Sequence, residues 1–221
     1  VSHGRLYLET SGGLYCLEDN EKTSAVAEGV IQPEEAAAED KVATQLQVVP
    51  ADALIRPGQS QQYKVLLYNA AGQLIGPAED AELTVDAYGT VEGDTFNSSA
   101  DAAHVAAYVT ATSGELSGRA RVRIVPDLPW SFDFDDLTAP PITWVGARYR
   151  HVIREVDGSN AMVKITTIPK GTRSRSWMGH SDLSNYTIQA DVKGARSNDK
   201  MPDIGLTGQG YCLDMQGESQ R

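Results

Sequence analysis

Between Val42 and Pro126 apolar and polar residues alternate in short runs, each closed by a turn signal. Alternation with period two puts every second side chain on one face of a pleated strand, so each run has one face to bury and one to solvate. The runs are TQLQVVP, QYKVLLYN, ELTVDA, HVAAYVTA and RARVRIV, separated by turns at Arg56-Pro57-Gly58-Gln59, Ala71-Gly72-Gln73 and Ser113-Gly114. In RARVRIV, Ala120, Val122 and Ile124 face one way and three arginines the other. Short strands at this spacing, with no helical periodicity between them, predict stacked sheets and an all-β fold.

The flanking segments extend the pattern. Gly4 to Asp19, GRLYLETSGGLYCLED, is strand, glycine turn, strand: a β-hairpin, which is marginal alone in water and needs a larger sheet around it. Asp127 to Arg221 carries WSFDFDDL, ITWVG, YRHVIREV, AMVKIT, SRSWMG, NYTIQADVKG and DIGLTGQGYCLDMQ, again read as strands, with turns at Asp157-Gly158 and Lys170-Gly171. By strand number this supplies half to two-thirds of a two-sheet jelly roll, so an incomplete domain is expected. The division expected is therefore 1–19 hairpin, 20–44 linker, 45–126 sandwich and 127–221 jelly roll.

Charge decides the linker and excludes one class of partner. Between Glu18 and Lys41 eight acids stand against two lysines, in a run of Ala, Glu and small polar residues that reads as a solvated tether, with a short helix opening at Pro33-Glu34-Glu35. The run lacks the Asp-x-Asp-x-Asp-Gly spacing of a calcium loop. A net charge of −11 argues against nucleic acid, whose phosphates need clustered Lys and Arg. No stretch approaches the roughly 18 apolar residues of a membrane helix.

Candidate chemistry is sparse. Asp133 and Asp135 fall two residues apart in Phe132-Asp133-Phe134-Asp135-Asp136, the placement a glycoside hydrolase needs for two carboxylates on one sheet face; the competing reading is an edge strand with Phe132 and Phe134 packed inward. In Gln189-Ala190-Asp191 only one such acid exists. His3, His104, His151 and His180 follow no metal spacing, and there is no Gly-x-Ser-x-Gly elbow. No cofactor is expected. Cys16 and Cys212 lie in separate apolar runs and are read as buried thiols rather than a disulfide.

From Gly146 to Arg196 nine basic residues stand against four acids, inside an acidic chain. Trp144, Tyr149, Trp177 and Tyr186 fall in this region with Arg173 and Arg175, and aromatic faces beside Arg forks suit a sugar or an anionic polysaccharide; Trp177, Arg173, Arg175, Tyr186 and Trp144 are the expected ligand contacts. The plainer reading makes the tryptophans core and the cations a solvated face.

Three resemblances add to these readings. GRLYLETSGGLYCLED resembles one repeat of pyrroloquinoline-quinone-type β-propellers, with Cys16 at the small-residue position before the final Leu. Residues 42–126 resemble a bacterial immunoglobulin-like domain in the Pro-Gly-Gln before the second strand, the Asn69-Ala70-Ala71-Gly72 turn after it, and the Ser-Gly turn before the last. RSRSWMGHSDLSNYTIQADVKG followed by GYCLDMQG resembles the concanavalin-like jelly roll attached to propeller-repeat proteins of planctomycete-type bacteria. The jelly roll also resembles putative keto-disaccharide hydrolases, whose acidic motifs do not recur here. Together these imply a periplasmic or extracellular protein whose sandwiches are non-catalytic spacer and recognition modules. Its expected partners are a polysaccharide or envelope protein and the remainder of its own propeller, with a carbohydrate-active hydrolase as the alternative.

Overall fold

A computed structural model describes residues 5–10, 13–18, 40–165, 174–196, 199, 201–208 and 210–217. It is nearly all-β, 45% strand with one short helix, in several small sheets none of which closes. In chain order the elements are β1 (Arg5–Thr10), β2 (Gly13–Glu18), β3 (Gln45–Val49), β4 (Asp52–Ile55), β5 (Ser60–Gln62), β6 (Lys64–Tyr68), β7 (Leu74–Pro77) and β8 (Glu82–Val85). There follow β9 (Gly89–Glu92), β10 (Thr95–Ser98), β11 (Val105–Ser113), β12 (Leu116–Ile124), α1 (Ala147–Arg150), β13 (His151–Val156), β14 (Ser159–Lys164), β15 (Ile204–Gly208) and β16 (Tyr211–Met215).

The expected hairpin at the start is present: β1 and β2 pair antiparallel from Arg5 with Glu18 to Thr10 with Gly13. The acidic linker, with the helix expected after Pro33, lies outside the described residues except for its last positions. Residues 45–124 form three sheets. One runs β4-β12-β11-β8, with β4 parallel to β12; the others run β3-β6-β7 and β5-β10-β9. The turns read from sequence close them. Gln59 N donates to Arg56 O across Pro57-Gly58. At the other turn, buried Asn69 accepts from the amides of Ala71 and Gln73 through Oδ1 and donates through Nδ2 to Gln73 Oε1 and Asp40 O.

The three sheets share one core. Leu46 and Val48 of β3, Val65 of β6, Phe96 of β10, the small residues Ala107, Val109 and Ala111 of β11, and Ala120, Val122 and Ile124 of β12 are all buried in it. The alternation in β12 therefore sorts its faces as the sequence predicts, each fully buried Val or Ile stabilising by about 1.5–3 kcal/mol. The arginine face is different. Arg119 stays exposed, its guanidinium stacked 3.6 Å from the centroid of the Tyr108 ring, whereas Arg123 is only 5% exposed.

Arg123 is buried because the next stretch of chain covers it. Asp52, on neighbouring β4, accepts from Arg123 Nε and Nη2 and from Arg121 Nε and Nη2, and Arg123 Nη1 donates to Ile142 O. Burial by itself raises the pKa of Asp52, but the hydrogen bonds and charges of the two arginines outweigh it and hold the carboxyl below its ordinary 3.8. Tyr63, 1% exposed, has no partner for its hydroxyl among the described residues; burial, helped by the charge of Asp52, pushes its pKa up to about 12.

Further contacts tie Asp127, His180 and Asp182 to the three-sheet unit. Arg56 donates to Asp127 at 2.7 Å and Asp182 at 2.8 Å, and a ring nitrogen of His180 lies 2.9 Å from Val125 O. A run of edge-to-face rings joins Trp130 to His104, His104 to Phe132, Phe132 to Trp144 and Trp144 to Phe134, at centroid separations of 4.9 to 5.8 Å. Gly179 must be glycine here, because a Cβ would sit 2.2 Å from the Trp130 ring.

His104 sits inside this aromatic run with Nδ1 buried and unpartnered among the described residues, and desolvation lowers its pKa from 6.5. The folded state thus takes up a proton on this ring less readily than the unfolded chain does. Its contribution to stability is complete above about pH 6.5 and is lost as the pH falls below that towards the lowered folded-state value. The urea midpoint is expected to drop between about pH 7.5 and about pH 5.5, and less so in His104→Asn, which tolerates the residue's left-handed φ of 55°. An equal drop in both proteins would refute the assignment.

Four of the expected strands do not form: ITWVG and SRSWMG hold only the isolated bridge between Val145 and Trp177, and two longer runs form no pairing at all. WSFDFDDL is irregular: Phe134 takes a φ of 67°, which an extended run does not accommodate. Residues 185–194 alternate in sequence but not in burial, since all but Ile188 and Gly194 are exposed, and no strand pairs with them among the described residues. Among the described residues of this half the strands are two hairpins, β13–β14 and β15–β16.

Candidate functional site

The site is built where the chain turns into α1. Val145 and Trp177 form an isolated antiparallel bridge, each amide donating to the other's carbonyl at 2.9 Å. Residues directly opposite in such a pair project to the same side, and both are exposed, Val145 by 43% and Trp177 by 55%. Among the described residues no aromatic ring packs on Trp177. The bridge requires Gly146: its φ is +82°, and a Cβ there would lie 2.8 Å from Arg175 O.

That approach sets the next residues side by side. From Ser174 to Trp177 exposure alternates, with Ser174 and Ser176 half-buried and Arg175 and Trp177 out, so guanidinium and indole share the outward face. Across the bridge, α1 presents Arg148 and Tyr149, the latter 74% exposed. Arg148 Nε donates to Pro140 O at 2.8 Å, a neutral acceptor, and no acid among the described residues pairs with it.

Of the five residues expected to bind ligand, the structure brings two together, Arg175 and Trp177. Trp144 is one residue before Val145 yet half-buried, its ring held between Phe132 and Phe134, so it supports the bridge from behind. Tyr186 is 38% exposed, with its hydroxyl beside Gly208 of β15. Arg173 lies outside the described residues. Arg148 and Tyr149 belong to the basic, aromatic region read from sequence but not to the five expected ligand contacts, and Val145 was not singled out at all. The signal for them is the Val-Gly step before a short basic helix, which acquires meaning only once Trp177 is seen to pair with it.

The carboxylate pair has a structural task instead. Asp135 Oδ1 accepts from Asn160 N at 2.9 Å and Ser159 Oγ at 3.0 Å, and Asp135 O accepts from Asn160 Nδ2, clamping the β13–β14 turn. Asp133 accepts from the amide of Asp135. Among the described residues no three His, Cys, Asp or Glu side chains gather as a metal site. Cys212, read as buried, is an exposed free thiol on β16, because nothing among the described residues covers that face of the hairpin.

No protein-family model and no curated protein sequence matches the chain.

Proposed function

We propose that the chain supplies non-catalytic spacer and recognition modules to a secreted or envelope β-propeller protein, and that its Trp177 face binds a glycan. In this reading β1–β2 belongs to a propeller blade that completes its sheet with the remainder of the propeller. Residues 45–126 are an immunoglobulin-like spacer and residues 127–221 part of a concanavalin-like jelly roll. The three sheets around one core support the spacer role, and the contacts of Arg56, Arg123 and His180 with the following segment support a stiff mount rather than a loose tether.

The observation that carries the glycan reading is the indole of Trp177, exposed on a hydrogen-bonded bridge with an arginine on the same face. A large apolar ring held in solvent loses the stabilisation it would gain by burial, and a pyranose offers it a flat C–H face with hydroxyls left for the arginine. A glycan array probed with the whole chain is expected to retain a defined set of sugars, and Trp177→Ala to lose them. Equal retention by the variant, or hydrolysis of the retained glycans, would overturn the proposal.

A further inference from the structure

We infer that the Trp177 face selects acidic polysaccharides, with Arg175 holding the carboxylate or sulfate of the sugar whose ring lies on the indole. This rests on the glycan reading above and adds the chemical class of the ligand.

Three observations carry it. First, Arg175 and Trp177 are two residues apart on the outward side of one extended run, roughly 6.5 to 7 Å between Cα atoms at strand rise, which is the scale of one sugar ring and its substituent. Second, Arg148 and Arg175 have no acidic partner among the described residues, and Arg148 gives its Nε to a carbonyl. Third, two of the four acids in the basic stretch are engaged elsewhere, Asp157 by Lys193 and Asp182 by Arg56. They do not compete for the arginines of the bridge.

The net charge of −11 does not oppose this. At physiological salt charges are screened beyond about 8 Å, so a bound anion senses the arginines beside it far more than carboxylates on other faces. An Arg fork meets a carboxylate or sulfate with two parallel N–H donors, which makes the contact directional as well as attractive.

The test compares matched polymers with the whole chain: polygalacturonate against its fully methyl-esterified form, and dextran sulfate against dextran, read by calorimetry and tryptophan fluorescence. The acidic member of at least one pair is expected to bind about tenfold or more tighter than its neutral counterpart. The pair that shows the difference identifies the anion. Arg175→Ala is expected to remove that difference, with Arg175→Lys intermediate, and Trp177→Ala to abolish binding. Arg175 and Trp177 are both exposed, and an unchanged thermal midpoint in each variant confirms an intact fold. Neutral polymers bound as tightly as acidic ones, or Arg175→Ala binding as the parent does, would overturn the acidic selectivity and leave the glycan reading standing. Acidic binding that survives Trp177→Ala would be charge alone and would overturn both, whereas failure of the parent to bind either pair would overturn the acidic selectivity and leave the glycan reading to the array.

Discussion

Phe96→Ala is expected to destabilise the protein by about 3–5 kcal/mol, the range for deleting a fully buried aromatic ring. Phe96 is 0% exposed, and its β10 is the middle strand of the β5-β10-β9 sheet, so the ring is where that sheet enters the common core. Its bed is rigid. A Cβ at Gly89 on β9 would lie 2.7 Å from the ring and 2.2 Å from Asn97 O, so backbone already touches it and little can collapse into the space left behind. Guanidinium denaturation followed by circular dichroism measures the loss. A domain of this size has about 5–15 kcal/mol to lose, so the variant should show a strongly lowered midpoint or fail to fold. A change under about 1 kcal/mol would mean that the β5-β10-β9 sheet does not share the core.

The second large effect is expected at Asp52. Asp52→Ala leaves the buried side chain of Arg123 beside that of Arg121 without the carboxylate that both engage. Removing one partner of a fully buried pair destabilises by about 3–5 kcal/mol; because the Asp52 side chain keeps 39% of its exposure, about 2–3 kcal/mol is expected here. The cause is the uncompensated cation, not a lost attraction as such, so Arg123→Met introduced into Asp52→Ala should restore at least half of the loss. Folded-state depression of the Asp52 pKa makes its contribution present above pH 3.8 and lost as the pH falls below it. Denaturation of the single and double variants at neutral pH checks the effect. A double variant less stable than Asp52→Ala alone would show that Arg123 is held by something other than Asp52.

The Trp177 face proposed to bind a glycan depends partly on local pattern and partly on distant cover. That Trp177 and Arg175 share a face follows from their spacing in an extended run. That Trp144 is excluded from that face does not: its neighbours Phe132 and Phe134 reach it only because the WSFDFDDL stretch leaves the extended conformation. The same stretch shows why alternation was misleading there. Phe132 and Phe134 are half-buried and Asp133 and Asp135 exposed, as a strand would have it, yet no strand forms. Individual ring contacts and the Asp135 clamp on Asn160, 25 residues away, fix the segment without a ladder.

The sequence by itself determined which side chains share a face along each short run, where the chain turns, and hence an all-β architecture with its opening hairpin. These are local properties, set by the two-residue repeat of the strand and the backbone preferences of Gly, Pro and Asn. Tertiary structure alone decided what covers each face. Arg121 and Arg123 are equivalent in the alternation of β12, and only the passage of Ile142 across one of them makes it the buried charge. Likewise Val145 gains its place beside Trp177 from a pairing across 32 positions. Periodicity fixes direction, but burial depends on a partner that arrives from elsewhere in the chain.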